Sequence, residues 1–126
     1  VIIDLPYPPS VNHYYGRNRR GSVFIKPRGR IFRSDVIQIV SEMKVKAMQG
    51  RIKCHLLVQC PDKRERDLDN VGKAVLDAMQ HAGVYLRDSQ IDLLTFQRGG
   101  VIRGGKIIVN VSEIDAAANN QQLRDP

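Results

Sequence analysis

The stretch Arg66-Asp67-Leu68-Asp69-Asn70-Val71-Gly72-Lys73 holds the residue types best suited to chemistry. Two carboxylates two residues apart project to one side of an extended backbone. Converging carboxylates repel each other unless a cation sits between them, and hard oxygens of this kind suit Mg²⁺ or Mn²⁺. Lys73 comes four residues after Asp69, so a helix stacks the two on one face. An ammonium there can hold a phosphate or orient a water. The same acids equally suit a helix start, where an Asp caps free N–H groups and faces the helix dipole. Asp88 is a third acid. A helix that packs back on a sheet returns it toward that helix's start, although Arg87-Asp88-Ser89 is also ordinary turn composition. Asp92 falls in a strand pattern, at a solvent-facing position.

Other chemistries find less support. His13, His55 and His81 are scattered, with no Cys or His partners at zinc spacing. Cys54 and Cys60 share a strand face six residues apart, too far to pair, and read as buried thiols of a reducing compartment. The glycine pairs at 99–100 and 104–105 lack the Lys-Ser/Thr and the helix of a phosphate loop. There is no G-x-S-x-G elbow. Nor is there an apolar run of membrane-spanning length or a basic, then apolar, secretory start at Val1-Ile2-Ile3-Asp4. A cytoplasmic protein is expected.

Charge narrows the partners. Lys plus Arg is 20 and Asp plus Glu is 13 in 126 residues, for a net charge of +7. Residues 1–33 carry seven basic residues against Asp4 alone, and residues 51–66 carry five against Asp62 and Glu65. An acidic knot therefore lies within a basic chain, which suits a polyanion such as nucleic acid. Tyr14, Tyr15 and Phe24 lie among the N-terminal cations and suit either base stacking or a core. The basic residues fall in loops and not on one amphipathic helix face, which ranks a membrane surface last.

The elements that must position these residues are legible in outline. The length and the 42% hydrophobic content fit one domain, residues 1–115, followed by a polar, flexible tail, 116–126. Residues 1–5 read as a strand, 6–21 as a long Pro- and Gly-bearing loop, and 22–26 as a second strand. A helix lies between Pro27 and Met48, with Val36, Val40, Met43 and Ala47 as its apolar stripe and Gly50 as its stop. Ile52–Cys60 alternates as a strand that Pro61 ends. A second helix covers about Asp69–Ala82, with Gly83 as its C-cap. Gln90–Arg98 and Lys106–Ser112 read as strands paired antiparallel through the glycine-rich turn. The fold class is α+β: a small mixed or antiparallel sheet with two main helices.

The chain resembles the RusA family of Holliday junction resolvases. Three stretches carry the likeness in register: Leu5-Pro6-Tyr7-Pro8-Pro9-Ser10-Val11-Asn12-His13-Tyr14-Tyr15; Asp62-Lys63-Arg64-Glu65-Arg66-Asp67-Leu68-Asp69-Asn70 with Lys73; and Leu86-Arg87-Asp88-Ser89-Gln90-Ile91. The resemblance implies an α+β homodimer that nicks four-way DNA junctions symmetrically with Mg²⁺ or Mn²⁺, during recombination and repair in a bacterial or phage-infected cell. It implies Asp67, Asp69 and Asp88 as catalytic metal ligands and Lys73 as the catalytic lysine. The family pattern puts a second acid before the third aspartate, where this chain has Arg87. The basic loops would then hold the junction arms through Arg17, Arg19, Arg20, Lys26, Arg28, Lys63, Arg64 and Arg66. Two rivals remain: a non-catalytic DNA-binding module, with Asp67 and Asp69 as helix caps, and a metal-dependent nuclease for other branched DNA.

Overall fold

The computed structural model describes residues 1–114, so the expected tail lies outside the described residues. Elements run in the order β1 (Ile2–Leu5), α1 (Val11–Tyr14), β2 (Tyr15–Arg17), β3 (Val23–Ile25), α2 (Pro27–Met43), β4 (Ile52–Gln59), α3 (Leu68–His81), β5 (Ile91–Arg98) and β6 (Lys106–Glu113). A 3₁₀ turn at Asp88–Gln90 leads into β5. The class is α+β, with two main helices and a mixed sheet, as expected. No helix of the described residues is long and apolar enough to cross a membrane.

The sheet order is β1-β6-β4-β5, with β5 parallel to β4 and both other pairings antiparallel. Alternation explains why β4 is central. Ile52, Cys54, Leu56 and Val58 are all buried on one face, and Ile107, Val109 and Val111 of β6 continue that layer. β5 is the poorest in buried side chains, with Leu93 and Leu94 exposed, and it takes the edge. The helices cover the buried face: Phe32, Val36 and Val40 of α2, and Val71, Ala74, Val75, Ala78 and Met79 of α3.

Three expectations are corrected. β5 and β6 are not a hairpin, because β4 lies between them. The glycine-rich segment crosses the end of β4, where the Gly99 amide bonds the Val58 carbonyl and the Ile102 amide bonds the Cys60 carbonyl. Residues 6–21 are not a bare loop. They hold α1 and β2, and β2 pairs with β3 in a separate two-stranded ribbon. α2 ends at Met43 and not near Gly50. Lys44 takes the left-handed conformation at its C-cap, Met43 is exposed, and Phe32 completes the stripe one turn before Val36.

Candidate active site

Helix α3 carries the central motif because β4 ends at Pro61 and the chain turns back over the sheet. Asp67 occupies the N-cap position, with extended backbone angles of φ −82° and ψ 126°. Its side chain makes no capping hydrogen bond. Asp69 lies in the first turn, and Lys73 and Asp77 follow at successive i+4 steps along that side. Gly72 lets α3 approach β5 closely, since the Phe96 ring occupies the place its Cβ would take.

The loop before Asp67 is held by its own side chains. Arg66 Nη1 donates to Asp62 Oδ1 at 2.7 Å, and the guanidinium lies 5.8 Å from the Tyr7 ring centroid. The Arg66 hydrogen bond, helped by the Arg64 amide, holds the Asp62 carboxyl well below the usual carboxylate range. From β5, Arg98 Nη2 donates to the Arg66 carbonyl at 2.7 Å and Nη1 donates to Cys60 Sγ at 3.6 Å. Arg98 thus fixes the backbone next to Asp67. Burial, helped by the contact with Cys60, pushes the Tyr7 phenol up to about 12.

The other side of α3 meets the N-terminal motif. Lys73 Nζ lies 4.9 Å from the Tyr15 ring centroid, a cation–π contact. Burial pushes the Tyr15 phenol up to about 12, with the Asp77 and Asp88 carboxylates adding to the shift. Tyr14 is fully buried. Its hydroxyl donates to Asp77 Oδ2 at 3.1 Å and accepts from Arg33 Nε at 3.1 Å, while Arg33 forms an ion pair with Asp77. This network locks α1 and α2 onto α3 and sets Tyr15 beside Lys73.

Asp88 starts the 3₁₀ turn. Its carboxylate contributes to the raised phenols of both Tyr15 and Tyr85, although burial is the main cause in each. The Tyr85 hydroxyl donates to the Leu76 carbonyl at 2.6 Å, so the segment before Asp88 rests on the middle of α3. Gln90 fixes the turn. Its Oε1 accepts from the Leu86 and Arg87 amides, and its Nε2 donates to the Met48 and Gly50 carbonyls, all at 2.8–2.9 Å. Sequence reasoning missed Gln90 and Arg98. Gln90 reads simply as a strand start, and nothing local marks Arg98.

The charged residues sort into engaged and free. Asp4, Asp62, Asp77 and Asp92 each pair with a cation. Among the described residues Asp67, Asp69 and Asp88 have no ion pair, and neither does Asp35 on the exposed side of α2. No three His, Cys, Asp or Glu side chains of the described residues gather around one point. Arg17, Arg19, Arg20, Arg28 and Lys63 are exposed, and Arg64 is exposed beside a long contact with Asp62. Lys26 is engaged with the Asn12 carbonyl at 2.7 Å, and Arg66 is folded inward onto Asp62.

A groove of about 1260 Å³ opens between the Pro-rich segment 7–13 and the basic loop 61–67. Lys63, Arg64, Arg66 and Arg98 line it, and Asp67 lies on its wall. Mg²⁺ is commonly held by one or two carboxylates plus substrate phosphates and waters. Exposed Asp67 on that wall, and exposed Asp69 two residues on in the first turn of α3, make no cap bond or ion pair among the described residues and fit that chemistry.

A cationic groove that runs to uncompensated carboxylates on a small α+β scaffold has the make-up of a nuclease. A family model described as endodeoxyribonuclease RusA matches residues 6–112, and the chain belongs to that family. It is 36% identical to the crossover junction endodeoxyribonuclease RusA of Enterobacteria phage HK97, over 89% of this chain and 93% of the relative. It is 37% identical to the protein of that name from Escherichia coli K12 and 38% to that of Enterobacteria phage 82, with the same coverage.

Proposed function

We propose that this protein is a crossover junction endodeoxyribonuclease that uses a divalent cation, Mg²⁺ or Mn²⁺, to nick four-way DNA junctions. The observation that carries the reading is a set of two exposed carboxylates without ion pairs among the described residues: Asp67, on the wall of a groove lined by Lys63, Arg64, Arg66 and Arg98, and Asp69, two residues on in the first turn of α3. Family membership gives that set its substrate class.

Asp67 and Asp69 would hold the cation at the N-terminus of α3, with Asp88 as the third acid that the family likeness implies. When bound, the ion supplies Lewis-acid polarisation of the phosphate and a water of lowered pKa. The chain's own residues do the rest. Lys63 and Arg64 bind backbone phosphates along the groove, and Arg98 and Gln90 hold the acid-bearing segments still. Lys73, steadied by the Tyr15 ring, places a positive charge where charge builds up on the phosphate. A two-fold symmetric junction calls for two such sites, and hence a homodimer.

The decisive test compares a synthetic four-way junction with linear duplex and flap controls. Paired nicks on the junction in Mg²⁺ are expected from the unaltered protein. Asp69→Asn should abolish nicking while junction binding persists, because a repulsive charge near the phosphate has gone. Metal-dependent nicking that survives in Asp69→Asn refutes the assignment. Sedimentation at micromolar concentration should give twice the monomer mass, and a monomer would rule out the paired site.

A further inference from the structure

Tyr14, Tyr15 and Phe24 lie among the N-terminal cations, and the structure gives each a different fate. Tyr14 is enclosed in the core, and the ring of half-buried Tyr15 carries Lys73. Phe24 is 47% exposed, on the solvent side of the β2–β3 ribbon. Its cross-strand partner is Gly16. The Phe24 ring lies across the space a Gly16 side chain would fill, and a Cβ there would fall 2.5 Å from the ring tip. One side of the ring therefore rests on backbone, and the rest faces water. Residues 15–28 contain Arg17, Arg19, Arg20, Lys26 and Arg28 and no acid. The ribbon tip is itself shaped: Asn18 Oδ1 accepts from the Arg20 and Ser22 amides at 2.9 Å, which closes a tight bend where Arg19 and Arg20 are exposed. Gly16 follows Tyr15, so this surface begins one residue from the ring that steadies Lys73.

An aromatic ring packed on backbone, in a segment rich in exposed arginines, suits a nucleobase on a phosphate chain. The ring stacks on the base while the arginines take the flanking phosphates. At a branch point, base pairs at the crossing lack a stacking neighbour, so a base can be splayed onto such a surface. We propose that Phe24 is a stacking platform for an unpaired base next to the cleavage site, and that it makes the protein prefer branched over fully paired DNA. This rests on reading the chain as a branched-DNA enzyme. It assigns that preference to the ribbon and not to the acids.

The test uses the full chain without metal, so that cleavage plays no part. Affinities are measured for a four-way junction, a thymine oligonucleotide and a linear duplex. Phe24→Leu keeps apolar bulk on Gly16 but removes the aromatic face. It should weaken junction and single-strand binding by about tenfold or more, the scale of one base stack, and leave duplex binding unchanged. Phe24→Trp should restore binding. Because the chain contains no tryptophan, its indole is also the only one present. Its fluorescence should be quenched as junction or oligonucleotide saturates, and not by duplex. Equal losses on all three DNAs would show that the ring merely braces the ribbon, and an unquenched indole at saturation would show that no base reaches it. Either result overturns the platform. Failure of the unaltered protein to bind the junction would instead overturn the functional reading itself.

Discussion

Gln90 makes four hydrogen bonds with one amide, joining the turn that bears Asp88 to the segment before β4. It is also the one buried polar side chain of the described residues. Gln90→Leu keeps the volume but leaves two carbonyls and two amides without their partner, in a site that is buried at the Met48 carbonyl and part-buried at the other three. The expected cost is roughly 2–4 kcal/mol, read as a lower denaturation midpoint in urea at unchanged slope. An unchanged midpoint would show that water reaches these groups. The acids were legible in the sequence because their spacing is local: Asp67, Asp69 and Lys73 lie within one helical start. Gln90 and Arg98 were not, because both partners of Arg98 and two of the four of Gln90 are about 30 to 40 residues away and only the fold brings them together. The capping alternative for Asp67 was also undecidable from sequence. Cap and ligand call for the same residue, and only the missing side-chain bond separates them.

Among the elements, α3 carries most of the site, and its height above the sheet depends on one small residue. Gly72→Ala should gain helix propensity of up to about 1 kcal/mol. It must also push the Phe96 ring out of its place, and overpacking costs about 1–3 kcal/mol. The clash wins. A net loss of about 1 kcal/mol is expected in thermal melts, together with slower junction nicking, since Asp69 and Lys73 move with the helix. A stabilised variant of full activity would show that Phe96 swings aside freely. Strand identity was legible because β4 alternates cleanly, and so was α3 from its apolar stripe. Strand order was not. Paired glycines between two strands look the same whether the chain reverses into a hairpin or steps across a strand. What decides is the burial demand of β4, whose apolar row needs a neighbour on either side.

For the whole molecule, ionisation limits stability at high pH. Tyr7, Tyr15 and Cys54 are each pushed up to about 12, in every case chiefly by burial. Their ordinary values are 10.0 for the tyrosines and 9.0 for the thiol. A group whose folded pKa is raised contributes fully below its unfolded value and loses that contribution as pH rises toward the folded one. Between about pH 9 and 12 the unfolded chain sheds protons that the folded chain retains, so stability falls as pH rises. Melting temperature should hold level from pH 7 to about 9 and decline above that. A flat profile to pH 11 would show that these groups are open to water.

The β1–β6 pairing has a consequence for how the chain is made. Ile2 pairs with Asn110, so the first strand finds its partner only when nearly the whole described chain exists. A ribosome adding about 5–20 residues per second leaves Ile3 and Leu5 waiting roughly 5–20 s, apolar and unmatched. β4 waits too, with one edge open until β6 emerges to fill it. A nascent chain stalled before Lys106 therefore presents two unsatisfied strands at once, the form most prone to be held by a chaperone or to cluster with its neighbours.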